Sequence, residues 1–313
     1  MKINFYKEKL YELVELCKRE IEAGGKIVVT GHDLPDNDSI ISAVMLRYLL
    51  ANLGVEAVIK FGTRPDNVTL RDQDELQNLD GITFDGFDEG DRLILVDHHA
   101  CFYNNRVIGC VDHHTTPPKA NFDFNLVVKA SSCGRVIYDM AVAAGVADDY
   151  LERLGVISVY LDTQSCKSPK FNKSDLPWLA DGIERLGIDE KKIIKMGFCI
   201  CDIADGAEVL SGYGLKRYPF GDKLGASTCV QIDVEREAEW QGVIDEIIAI
   251  LVKRMNDEGV FLWAFVVNKP EIARSDIYFI RPDGSVRVER LDRVASRSRD
   301  VIPYVKSEAE KMG

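Results

Sequence analysis

The sequence predicts an α/β protein, with a mostly parallel-sheet N-terminal catalytic domain followed by a second, smaller α+β C-terminal domain. Short apolar strands alternate with helical stretches through the N-terminal part, and three of these strands run directly into polar clusters. From about Leu215 the pattern changes to a hairpin and longer strands, and 313 residues suit two domains, each with its own core.

The elements follow in order. Leu10, Leu13, Val14, Cys17 and Ile21 recur at helical spacing, and Ala23-Gly24-Gly25 ends that helix before a strand at 26–30. A helix is predicted over 39–53, then strands over 55–61, 93–96, 107–111 and 124–128, and helices over 134–144 and 150–161. The second of these helices is capped from Ala147-Asp148-Asp149. Alternation of this kind implies a parallel sheet covered on both faces, with sites beyond the carboxyl ends of its strands. Farther on come a hairpin at Gly221-Asp222, a long helix over 236–256 and strands over 261–267 and 276–280. The boundary is expected within 196–210, giving domains 1–198 and 205–313.

Composition excludes several classes. Hydrophobic residues make up 46% and charged residues 29%, the balance of a globular protein. Apolar runs such as 260–267 are too short to span a membrane, and residues 1–21, with Glu8, Glu12 and Glu15, resemble neither a secretory nor a transit signal. A cytoplasmic location is expected, without membrane contact. The net charge of −12 argues against duplex nucleic acid as a partner and suits a chain that gathers carboxylates around cations. The eight cysteines form no Cys-x-x-Cys pair, so neither a disulfide framework nor a zinc knuckle is expected. Trp178, Trp240 and Trp263 lack interleaved basic residues and read as core or interface residues.

All five histidines fall in the three polar clusters. The first is Gly31-His32-Asp33-Leu34-Pro35-Asp36-Asn37-Asp38-Ser39, a strand-to-helix turn whose His-x-x-x-Asp-x-Asp spacing can aim an imidazole and two carboxylates at one region. The others are Val96-Asp97-His98-His99 and Val111-Asp112-His113-His114. One buried histidine is ordinarily a satisfied polar core residue; three clusters at three strand ends are not explained that way. Carboxylate and imidazole without thiolate suit divalent manganese, iron, cobalt or zinc in a reactive site. The number of potential ligands suits two ions that clamp a phosphoryl group.

These residues resemble the DHH phosphoesterase family. Gly31-His32 through Ile40-Ile41-Ser42-Ala43 resembles its first motif, Leu95-Val96-Asp97-His98 the second, Asp112-His113-His114 the third, and Leu161-Asp162-Thr163 with Lys167-Ser168-Pro169 the fourth. The resemblance implies that His32 and Asp36 hold one metal ion, Asp38, His113 and Asp162 another, and that Asp97 bridges them. It also places His114 on the substrate phosphate and His98 behind a ligand. Manganese is expected first, with cobalt or magnesium as alternatives. His99 departs from an asparagine often found there; chain order assigns the clusters, and a different order would exchange Asp97 with Asp112.

Ala295-Ser296-Arg297-Ser298-Arg299-Asp300-Val301-Ile302-Pro303 resembles the Ser-Arg-Lys-Lys segment of manganese-dependent (family II) inorganic pyrophosphatases and related exopolyphosphatases. On that resemblance Asp97, His114, Lys216 and Arg297 are the catalytic residues, while His114, Lys216, Arg297 and Arg299 bind substrate. Such cations would neutralise the leaving phosphate. The substrate is then pyrophosphate or a short polyphosphate, and a homodimer is an assembly open to the chain. Ser298 stands where the pyrophosphatases carry lysine, which favours short-chain exopolyphosphatase activity as the alternative. A small-nucleotide phosphodiesterase comes next, disfavoured because no histidine follows His114 and no Gly-Gly-Gly run exists. The helix before the first strand is unusual for a minimal pyrophosphatase and compatible with exopolyphosphatase-like relatives.

Overall fold

The structure is a computed structural model and describes residues 2–99, 106–114, 122–168, 170–295 and 300–311. The chain divides into two compact units, Met1–Gly197 and Phe198–Gly313.

The first unit runs α1 (Lys2–Glu22), β1 (Lys26–Thr30), α2 (Asn37–Asn52), β2 (Val58–Lys60), α3 (Asn67–Glu75), β3 (Ile82–Thr83), β4 (Asp91–Val96), β5 (Arg106–Asp112), β6 (Phe124–Val127), α4 (Cys133–Ala144), α5 (Asp149–Asp162), α6 (Leu176–Leu186) and α7 (Glu190–Gly197). Its six strands form one sheet in the order β3-β2-β1-β4-β5-β6, every neighbouring pair parallel. From β1 the chain builds outward to β3, then returns to the other side of β1 as β4. This reversal is the switch point beyond which open α/β sheets hold their ligands. Register keeps the relevant strand ends level, since Thr30 pairs with Leu95 and Val96 with Val111. His32, Asp97 and His113 therefore leave the sheet side by side.

Alternation along the strands decides the core. Ile27, Val29, Ile94, Val96, Ile108 and Val111 join buried residues of α1, α2, α4 and α5 in one large cluster. Val28, Leu93, Leu95, Cys110 and Phe122 point the other way into a smaller cluster that contains no helical residue among those described. The helical layer on this sheet is thus less symmetric than the alternation of elements suggests. α2 is buried at positions from Asn37 to Leu50 on nearly all its faces. That explains why it shows no amphipathic stripe.

The second unit contains α8 (Gly206–Leu210), β7 (Lys216–Phe220), β8 (Lys223–Gln231), α9 (Glu237–Glu258), β9 (Val260–Lys269), β10 (Arg274–Ile280), β11 (Val286–Leu291) and α10 (Ile302–Lys311). Its mixed sheet runs β11-β10-β9-β8-β7, with β8 and β9 parallel and the other pairs antiparallel. A parallel pair requires a crossover, and α9 supplies it. Trp240, Ile244, Ile247, Leu251 and Met255 place one stripe of α9 in a core with Trp263 and Phe265. Buried Trp263 donates from Nε1 to Thr228 Oγ1 at 3.0 Å, as a core tryptophan should. No helix among the described residues is long and apolar enough to cross a membrane.

Several elements escaped the sequence reading. β11 carries charges at Arg287, Glu289 and Arg290 and is largely exposed, so it lacks the alternation of a half-buried strand. α3 is mostly polar, and α6 opens with a proline at its first turn. The predicted strand 55–61 shortens to Val58–Lys60, because the Val55 N–H turns back to Leu50 O at 2.9 Å and closes α2.

Candidate metal centre

The first cluster is shaped by the start of α2. Asp36 caps the helix, its Oδ1 accepting from Ser39 N at 3.1 Å, which leaves Oδ2 at 3.7 Å from His32 Nε2. Two residues on, Asp38 is buried beneath the start of α4. Its carboxylate accepts from the N–H groups of Cys133 (2.7 Å) and Gly134 (3.2 Å) and from the hydroxyls of Ser42 (3.2 Å) and Ser158 (2.6 Å). Gly134 is required by the approach: a Cβ there would meet Ser158 Cβ at 2.7 Å. Donors on both oxygens, two of them N–H groups at the start of a helix, fix the Asp38 carboxylate in direction.

Asp97 follows β4 directly and adopts a left-handed backbone, φ 62°. That conformation costs a non-glycine residue about 1 kcal/mol or more. It turns a buried carboxylate into the middle of the site: Oδ2 accepts from Ser39 Oγ at 2.9 Å and lies 3.7 Å from His32 Nε2, while Oδ1 lies 3.2 Å from His113 Nε2. His113 Nε2 is also 3.6 Å from Asp162 Oδ2 and 3.8 Å from Asp38 Oδ2. The ligand atoms gather into two sets, His32, Asp36 and Asp97 on one side and Asp38, His113 and Asp162 on the other, linked by a third, Asp97, Asp112, His113 and His114, each within 4.8 Å mutually.

The histidines share one arrangement. Nδ1 of His32, His98, His99, His113 and His114 lies against Asp33 O, Val96 O, Asp112 Oδ2, Ala130 O and Asp112 Oδ1 respectively. An Nδ1–H that donates to a carbonyl leaves Nε2 as the lone-pair nitrogen of a neutral ring. For His113 that lone pair would face three carboxylates. Consistent with this conflict, His113 Nε2, Asp97 Oδ1 and Asp162 Oδ2 are buried without a hydrogen-bond partner among the described residues. Groups left so are costly unless a cation lies among them. The set therefore fits divalent ions on its donor chemistry, all nitrogen and oxygen.

Protons record the same crowding. Burial, then the charges of Asp38, Asp36 and Asp162, push the Asp97 carboxyl well above the usual range. Burial and Asp38 raise Asp162 to about 6. Burial works against a charged His32, but the hydrogen bond and charge of Asp36 lift the ring to about 9. Burial lowers His98 to about 4. Asp112 goes the other way: burial opposes its charge, yet bonding to His114 and His99 holds it at about 2.

Asp112 is thus engaged by two imidazoles and by the N–H groups of His113 and His114, whereas Asp97 faces the unpartnered atoms. His114 is partly exposed and lines a cavity of about 340 Å³ together with His32, Asp36, Asp97, His98, His99, Asp112, Asp162 and Lys170. His98 meets the His32 ring edge-on, 6.2 Å between centroids. Lys216 opens β7 in the second unit and is exposed. Arg297, Ser298 and Arg299 lie outside the described residues. The sequence reading missed Ser39, which steadies Asp97, and Lys170, whose Nζ donates to Asp162 Oδ1 at 2.9 Å. Only its place directly after Lys167-Ser168-Pro169 could have pointed to Lys170.

Known proteins give a consistent picture. Residues 26–161 match the N-terminal domain of the DHH family. A probable manganese-dependent inorganic pyrophosphatase of Enterococcus faecalis is 29% identical over 220 residues, 63% of this chain and 68% of that protein. One from Streptococcus mutans is 27% identical over 223 residues, 66% of this chain and 64% of that protein. Among solved structures, a putative family II inorganic pyrophosphatase of Methanococcus jannaschii shares the fold, with a TM-score of 0.62 at 20% identity over 90% of this chain and 98% of that one.

Proposed function

We propose that the chain, whose residues 26–161 match the N-terminal domain of the DHH family, hydrolyses phosphoanhydride bonds, with inorganic pyrophosphate as its foremost substrate. The observation that carries the proposal is the meeting of buried, unpartnered Asp97 Oδ1, His113 Nε2 and Asp162 Oδ2 at the strand ends. The names of the Enterococcus and Streptococcus relatives support pyrophosphate and manganese.

In this reading His32 and Asp36 would hold one divalent ion and Asp38, His113 and Asp162 the other, with Asp97 available to both. Ions held there supply Lewis acidity to the phosphoryl group and lower the pKa of attacking water. The chain's own part is placement. Asp38 is locked by its four donors, Asp97 by Ser39, and His113 by Ala130, so the ligands need little rearrangement. His114 lines the cavity, where its ring can donate to a phosphoryl oxygen. Lys216, Arg297 and Arg299 are assigned by sequence to the charge of the leaving phosphate.

Short-chain exopolyphosphatase activity is the second reading, favoured by Ser298 in place of lysine. Orthophosphate release by the manganese-reconstituted chain from pyrophosphate, tripolyphosphate, long polyphosphate and a dinucleotide separates the readings. Fastest release from pyrophosphate is expected; a preference for longer chains moves the chain to the second reading, and cleavage of the dinucleotide alone rejects both.

A further inference from the structure

Nothing in the proposed reaction uses Lys170, yet the chain goes to some length to bring it to the site. Gln164, Ser165 and Cys166 adopt left-handed conformations in succession, φ 50°, 54° and 65°. Side chains rarely take up such a run, and it folds the segment back on the end of α5. Lys170 Nζ thereby reaches Asp162 Oδ1 at 2.9 Å, on the oxygen opposite the one that faces His113.

An ordinary surface lysine would turn its charge to bulk water. Lys170 instead lines the cavity with His32, Asp97 and His114, and the charges of Asp162, Asp97 and Asp36 all act on it. It is not sealed among them, because its side chain is 46% exposed. An ammonium carries three protons, and Asp162 takes one. The others are open to the cavity that Lys170 lines with His32, Asp97 and His114, where a phosphoryl oxygen could accept them.

We infer that Lys170 contacts the substrate, giving the metal-bearing unit its own cation for a phosphoryl oxygen and selecting condensed phosphates, with several charges, over singly charged esters. This rests on the proposed function, from which it differs in naming a residue and a charge requirement.

The test compares the manganese-loaded parent with Lys170→Ala, Lys170→Gln and Lys170→Arg. Calorimetric titration with imidodiphosphate, a pyrophosphate analogue, is set beside KM and kcat for pyrophosphate and beside a manganese titration of each protein. Alanine and glutamine are expected to weaken imidodiphosphate binding and raise KM by about 10- to 100-fold, the range of one charged hydrogen bond. Smaller effects on kcat, unchanged manganese stoichiometry and recovery to within a few fold in Lys170→Arg complete the expectation. Glutamine can still donate to Asp162 but carries no charge. If it restores binding as well as arginine does, or if alanine binds as the parent does, the inference is overturned and Lys170 merely positions Asp162. A parent that binds imidodiphosphate through Lys170 yet releases no phosphate supports the inference while rejecting the proposed function.

Discussion

Asp97→Asn is expected to reduce pyrophosphate turnover by on the order of 10³-fold or more while leaving the fold intact. The two halves of this expectation have separate causes. Asparagine has nearly the volume of aspartate and tolerates the left-handed backbone found at φ 62°, and its carbonyl can still accept from Ser39 Oγ. What it removes is the negative charge between the two ligand sets. In the absence of cations that charge is a burden, since burial, Asp38, Asp36 and Asp162 all disfavour it. The metal-free variant is therefore expected to melt at or above the temperature of the metal-free parent. Thermal melts with and without manganese, read beside turnover, check both halves. Near-normal turnover would move the shared carboxylate to Asp112, despite its bonds to His99 and His114.

Arg297→Ala is expected to lower kcat/KM on pyrophosphate by about 10²-fold or more, because oxyanion-type donors typically contribute about 3 kcal/mol. Manganese binding should be untouched, since Arg297 is remote in sequence from every assigned ligand. The flanks of its segment are well anchored: Arg293 forms two 2.6 Å bonds to the Asp300 carboxylate, and Ala295 N–H donates to Ser275 Oγ at 2.8 Å. Ser298→Lys should shift preference from tripolyphosphate towards pyrophosphate if a missing cation loosens specificity. Kinetics on both substrates decide the matter, and unchanged efficiencies in Arg297→Ala would reopen the nucleotide phosphodiesterase reading.

The parallel sheet was legible because apolar strands such as Lys26–Thr30 and Asp91–Val96 are buried and bounded by polar turns. The clusters were legible because strand ends in such a sheet face one side, so three His-Asp groups in sequence become neighbours in space. Residues that act through the path of the chain were not legible. Ser39 reaches Asp97 across 58 positions, and Ser158 reaches Asp38 across 120. Lys170 depends on three left-handed residues in Gln164-Ser165-Cys166, where no glycine announces a reversal. β11 and α3 failed to register for different reasons: β11 is largely exposed, and the face that α3 buries carries polar Thr69, Asp72 and Gln73, so neither leaves an apolar period to read.

The central claim, that the clusters form one site for two divalent ions, is tested most directly by calorimetric titration of the metal-free chain with manganese at several pH values. The account predicts two ions bound per chain. It also predicts proton release, because ligands must be deprotonated to bind and metal-free Asp162 and His32 hold protons up to about 6 and about 9. In the metal-free protein both folded-state values lie above the ordinary ones, so the stabilisation those protons give is present at low pH and fades as pH rises through about 6 and then about 9. Manganese affinity should accordingly strengthen across that window, with the protons released at binding declining as the pH exceeds each value. Binding of no manganese, or an affinity that does not change between pH 5 and pH 9 on the order expected for displaced protons, would contradict the account.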